Sequence, residues 1–305
     1  MNLRFVQTLR EVAERGSFSA AAAALHFTQP AVSRQVAQLE REVGMPLVVR
    51  SRRGVSLTAA GRLVVEHAEV IQGQLLQLET SLTELSGGSR LAVGIGGFPS
   101  AFVGMIPELV RHLKARVPEA EVTLRRCGHD EALALIRSAE LDFALVFSRP
   151  ELEQKPMGIE IAELGSEPML ALLPRDHKLA RKAKVKLADL AGERWIVGAP
   201  DPSSSIIVNA CVAAGFEPNV VFETDDPLAI QSLVAAGLGV SLSSPWISNA
   251  IRDDVVLREL APPAPTRRLR ALVADPPGPG ARILLELARE LDLPRAGSRS
   301  KLVNR

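Results

Sequence analysis

Residues 19–40, SAAAAALHFTQPAVSRQVAQLE, constrain the fold of this 305-residue chain more than any other stretch. The alanine run has high helix propensity and a thin profile, so a helix made of it lets a neighbouring helix approach closely. After a turn at His26 and Phe27, Thr28 stands where it can cap a new helix, and Pro30 falls in the first turn, where a missing N–H does no harm. That helix is expected to run to about Val43. Val32, Val36 and Leu39 form its buried stripe, with Gln29, Ser33, Arg34 and Gln38 outward. Such a pair of helices is either an alanine-rich core with a solvated face or a helix-turn-helix presented to a groove of DNA.

The flanks favour DNA. Leu3, Val6, Leu9, Val12 and Ala13 recur at helical spacing up to Gly16, which stops a first helix, and Ser17 or Ser19 caps the alanine helix. Downstream, GMPLVVRSRRGVSLTAAG (residues 44–61) reads as two short strands around an arginine-rich turn, a β-wing. Three helices and a wing make a winged helix-turn-helix over residues 1–58. Residues 1–62 hold nine Arg, no Lys and four Glu, a net of +5, whereas the whole chain sums to +1. A basic module joined to a mildly acidic body implies that only the first part meets a polyanion. Gln29 offers the donor and acceptor that bidentate recognition of adenine needs, and Arg34 can fork onto guanine or a phosphate. Ser33 is small enough for close approach, and Pro30 sets the helix start beside it. Arg50, Arg52 and Arg53 suit phosphates or an adjacent minor groove, and Arg50 could instead pin the wing to its own domain.

Residues 59–88 form a linker helix. There is no proline from Thr58 to Leu85, and Val64, Ala68, Ile71, Leu75, Leu78, Leu82 and Leu85 follow steps of four and three. That spacing is the seam of a coiled coil with a second copy of the chain, and the alternative is a surface helix docked on its own domain. Pairing would let two winged modules contact two half-sites of double-stranded promoter DNA, an interrupted palindrome. The linker ends in SGGSR at residues 86–90.

Beyond it strands and helices alternate, from LAVGIG at residues 91–96 to a last helix at residues 281–291. The pattern predicts an α/β body over residues 89–293 with mostly parallel sheets. Two lobes flank a cleft, one of about residues 89–163 and 267–293, the other of about 164–266. Residues 294–305 form a loose polar tail.

Taken in order, AAAALHFTQPAVSRQVAQLE, the wing, the linker helix and the two-lobed body resemble a LysR-type transcriptional regulator along nearly the whole chain. The resemblance implies an effector-binding body shaped like periplasmic binding proteins, control by a small molecule in the inter-lobe cleft, and assembly as a dimer or homotetramer. It also places Ser100 at the hydroxyl position lining that cleft and puts His129 where relatives often carry Thr. In lobes of this kind ligands sit at strand carboxyl ends against helix N-termini. That adds Ser148 and Arg149 after the third strand, Ser203 and Ser204 at a helix start, and Thr224 at a strand end. Ser100, Ser203 and Thr224 read also as helix caps or turn residues, and Arg149 as half of a surface ion pair. Together the set suggests a hydroxyl-lined, partly cationic cleft suited to a small organic acid or similar polar metabolite.

Several other chemistries find little support. GIGGFP at residues 94–99 has Pro99 where a dinucleotide loop needs its third glycine. Cys127 and His129 lack a second pair at metal spacing, so neither a metal nor a cofactor is expected. No nucleophile–base arrangement suggests an enzyme. Peroxide-sensing relatives pair two cysteines; Cys211 matches the second, but Pro202 stands nine residues earlier. The N-terminus lacks a signal-peptide pattern and no window is apolar enough to span a membrane, so a cytoplasmic location is expected. The competing reading is a solute-binding protein, which leaves residues 1–85 without a role.

Overall fold

The computed structural model describes residues 1–51, 54–85, 91–147, 156–198 and 202–291, and it divides into two units near residue 80. The first unit contains α1 (Leu3–Arg15), α2 (Phe18–Ala24), α3 (Gln29–Val43), β1 (Val48–Ser51), β2 (Gly54–Leu57) and, as far as Thr80, α4 (Ala59–Leu85). Gly16, at φ 62°, ends α1, and Ser17 rather than Ser19 caps α2 by accepting the Ala20 N–H. Val6, Leu9 and Val12 of α1 meet Val32, Val36 and Leu39 of α3 across Ala21 and Ala22 of α2. The alanines are thin spacers that let larger aliphatic side chains close the core, each contributing about 1.5–3 kcal/mol when fully buried.

Thr28 occupies the N-cap of α3, yet its side chain makes no capping hydrogen bond. Pro30 has no N–H to offer at the second helical position, and the Ala31 N–H donates to the Thr28 carbonyl instead. The antiparallel wing pairs Val48 with Leu57 and Ser51 with Gly54. Gly54 adopts φ 121°, and a Cβ there would lie 2.7 Å from the Gly16 carbonyl oxygen. The Val55 N–H donates to that same oxygen at 2.9 Å, so the wing is tied to the α1–α2 turn through a position that requires glycine. Val65 and Ala68 of α4 complete the core. Farther along, Ile71, Leu75, Leu78 and Leu82 are 44–56% exposed. The start of α4 is therefore docked on its own domain, while the apolar side chains farther along it are exposed.

The second unit runs through β3 (Ala92–Gly97), α5 (Met105–Arg116), β4 (Glu121–Arg126), α6 (His129–Arg137), β5 (Phe143–Phe147), β6 (Ile159–Pro168), β7 (Leu170–Pro174), β8 (Lys184–Val185), β9 (Arg194–Val197), α7 (Pro202–Ala213), β10 (Asn219–Glu223), α8 (Pro227–Ala235), β11 (Ser241–Ser243), β12 (Val255–Leu260), β13 (Thr266–Ala274) and α9 (Pro279–Glu290). The first lobe is a five-stranded sheet in the order β4-β3-β5-β13-β6. α5 and α9 cover one face and α6 the other. The second lobe holds a four-stranded sheet, β11-β7-β12-β8, and the pair β9–β10.

The expectation of mostly parallel sheets is corrected. β13 runs antiparallel to both β5 and β6, and β7 antiparallel to β11 and β12. β6 and β13 carry the chain out of and back into the first lobe, so they pair with each other in opposite directions rather than continue the βαβ pattern. The outward crossing consequently follows Pro168, not residue 163. A separate 3₁₀ turn at Pro99–Phe102 precedes α5, which begins at Met105.

Candidate nucleic-acid interface and ligand cleft

The first turns of α3 present the polar residues expected there. Gln29, Pro30 and Arg34 are exposed and Ser33 is half-buried. The helix's opposite face is closed: Val32, Val36 and Leu39 are 0–2% exposed. Arg34 Nε donates to the Pro30 carbonyl at 3.3 Å, a contact it must share or release to reach a base. Arg50 lies with its guanidinium carbon 4.6 Å from the centre of the Phe18 ring, so it braces the wing on α2. Arg52 and Arg53 fall outside the described residues.

Two tethers of this surface escaped the sequence reading. The buried Thr8 hydroxyl donates to Gln35 Oε1 at 2.6 Å, joining α1 to α3. Glu40 Oε1 accepts the N–H groups of Leu47 at 2.8 Å and Val48 at 3.4 Å, joining α3 to β1. Glu40 thus ties α3 to the wing. A carboxylate that satisfies the start of a neighbouring strand carries no local sequence mark.

Between the lobes of the body lies a cavity of about 90 Å³. Phe98, Ser100 and Phe147 line it from the first lobe, and Ile206, Ile230, Leu242 and Ile247 from the second. Arg267, at the start of β13, reaches into it with a side chain only 8% exposed. Its Nε donates to Glu167 Oε1 at 2.7 Å, its Nη2 pairs with the same oxygen, and its Nη1 donates to Ser100 Oγ at 3.3 Å. The Ser244 hydroxyl donates to Glu167 Oε2 at 3.0 Å, and Glu167 is fully buried. The guanidinium carbon lies 4.7 Å from the Phe98 ring centre and 5.3 Å from that of Phe147. Glu167 and Arg267 are direct register partners on β6 and β13, where the chain passes between lobes. Their pair ties Ser100 of one lobe to Ser244 of the other.

Of the expected cleft residues, Ser100 sits on the cavity. His129 begins α6, is buried, and is not part of the cavity lining. Thr224 is a turn residue whose Oγ1 accepts the Asp226 N–H at 3.3 Å, while its neighbour Asp225 lines the cavity. Asp225 also pairs with Arg126 at 2.7 Å, across the two lobes. Ser203 and Ser204 occupy the first turn of α7, but their side chains lie outside the described residues, as do Ser148 and Arg149 entirely. Among the described residues the lining combines apolar side chains with the hydroxyl residues Ser100, Ser243 and Ser244, and its buried cation, Arg267, already has a carboxylate partner.

Both cysteines are buried, and burial pushes each thiol up to about 11, away from the thiolate that redox chemistry requires. Among the described residues, no helix is long and apolar enough to cross a membrane.

Comparison with known proteins gives a consistent result. Residues 3–62 match the model described as bacterial regulatory helix-turn-helix protein, lysR family, and residues 86–292 match that of the LysR substrate binding domain. The chain is 31% identical to the HTH-type transcriptional regulator AlsR of Bacillus subtilis, covering 85% of this chain and 86% of that one. It is 33% identical to the Hca operon transcriptional activator HcaR of Escherichia coli, covering 87% and 89%. Full-length OxyR from Pseudomonas aeruginosa shares the fold with a TM-score of 0.68 at 20% identity over 99% of both chains. CbnR does so with a TM-score of 0.62 at 24% identity over 95% of this chain and 99% of that one.

Proposed function

The chain belongs to the LysR family of transcriptional regulators, and we propose that it reads promoter DNA through α3 and the wing under the control of a small molecule held in the inter-lobe cavity. One observation carries the DNA reading: Gln29 and Arg34 stand exposed on a helix whose other face is fully buried and which Glu40 locks to the wing. A helix held in this way can enter a major groove without reorganising, and its first turns meet the base edges. CbnR, which shares the fold, has been crystallised with its target DNA. Two copies joined along Ile71, Leu75, Leu78 and Leu82 would bring two recognition helices to two half-sites, and the bare seam supports that pairing. A solute-binding protein is not favoured, because the helix-turn-helix match at residues 3–62 has no part in that role.

The test uses DNA selected from a random pool by the wild-type chain, followed by fluorescence anisotropy at fixed salt. Gln29→Ala and Arg34→Ala should each weaken binding about 5- to 150-fold, the worth of one bidentate base contact. Unchanged affinity in both variants would remove α3 as the reading helix.

A further inference from the structure

Resting on the reading of the inter-lobe cavity as the effector site, we propose that this cavity selects an uncharged molecule, an apolar body bearing a carbonyl oxygen, and discriminates against carboxylates.

Arg267 and Asp225 are the charged side chains that line the cavity among the described residues, and each already has an opposite partner. Arg267 is matched by the fully buried Glu167, and Asp225 by Arg126. A carboxylate placed against Arg267 would bring a second negative charge beside Glu167, with Asp225 on the same lining. Among the described residues it would gain no cation of its own in exchange for its hydration, and an ion so placed is strongly disfavoured.

Hydrogen-bonding capacity points the same way. The Ser100 hydroxyl accepts from Arg267 Nη1, so its own proton is left to donate. A guanidinium has five N–H groups; Glu167 takes one from Nε and one from Nη2, and Ser100 takes one from Nη1. Arg267 therefore keeps one N–H on each terminal nitrogen. The polar end of the cavity offers donors without net charge, which is what a neutral carbonyl oxygen requires. Around it Phe98 and Phe147, packed edge to face at 4.9 Å, together with Ile206, Leu242 and Ile247, supply the wall for an apolar body.

The experiment measures binding to the full-length chain by calorimetry at pH 7.5 with matched probes: benzoate and benzamide, cyclohexanecarboxylate and cyclohexanecarboxamide. The neutral member of each pair should bind at least about tenfold more tightly than its acid. Glu167→Gln leaves the Arg267 charge unmatched, and the preference should invert towards the carboxylates. Carboxylates that bind the wild type as tightly as their amides would overturn the inference, as would an unaltered preference in Glu167→Gln. Should that variant not fold, wild-type affinity for benzoate must instead rise as pH falls towards the pKa of the acid, and a flat profile overturns the inference. If no probe of either kind binds a chain that still binds DNA, the cavity is not the effector site. That outcome defeats the reading beneath the inference, whereas tight carboxylate binding defeats the inference alone.

Discussion

Replacing Arg267 with Met keeps much of the side-chain volume and removes its charge. Glu167 would remain fully buried with the Ser244 hydroxyl as its remaining side-chain donor. Removing one member of a buried ion pair costs about 3–5 kcal/mol, chiefly because the other charge is stranded. The lost contacts with Phe98 and Phe147 add up to about 2 kcal/mol, partly offset by Met packing on the same rings. For a body of this size such a loss lowers Tm by about 6–20 °C. The two tryptophans of the chain, Trp195 and Trp246, both lie in the second lobe, so their fluorescence follows the body and not the DNA-binding unit. Adding Glu167→Leu should recover most of the loss, since a buried pair exchanged for apolar side chains of similar volume is often neutral or stabilising. A Tm change under about 2 °C for Arg267→Met would refute the stranded-charge reasoning, and a double variant less stable than the single one would do the same.

Three other outcomes follow from the same geometry. Glu40→Ala should destabilise the wing's attachment by about 1–3 kcal/mol, seen as faster hydrogen exchange at the Leu47 and Val48 amides; unchanged exchange would show that the carboxylate holds nothing. Leu75→Arg with Leu78→Arg should leave a monomer in analytical ultracentrifugation, because both side chains are exposed on the α4 seam. Cys127 and Cys211, with thiols pushed up to about 11 by burial, should react slowly with a disulfide reagent at pH 7.5, and faster as pH rises towards that value. Rapid labelling of the native chain at pH 7.5 would contradict it.

Local order in this chain was legible and long-range pairing was not. The bounds of α3 follow from a capping position, an early proline and a 3.6-residue stripe, all within fifteen residues. Its outward face was equally open to reading, because the outward residues are those left over once Val32, Val36 and Leu39 are buried. The open part of α4 showed itself by spacing alone. β6 did not, because it is held by register with β13 about a hundred residues away, and no local pattern encodes that partnership. The same distance hid the heart of the cleft: Glu167 and Arg267 look like ordinary charged residues of half-exposed strands until the two strands are laid side by side. Thr224 takes the turn role that the sequence left open beside the cleft role. One residue decides whether a side chain closes a turn or faces the cavity, and here Asp225 is the one that faces it.

On the function proposed for this chain, occupancy of the inter-lobe cavity and the grip on DNA are coupled in one regulator. The most direct test is to measure the affinity of the full-length chain for its selected DNA with and without a saturating cavity ligand, then its affinity for that ligand with and without the DNA. Coupled sites must change each other's affinity by the same factor. The prediction is a common factor of at least about fivefold in both directions, abolished by filling the cavity with Ser100→Phe. DNA affinity that stays the same at full ligand occupancy would contradict it.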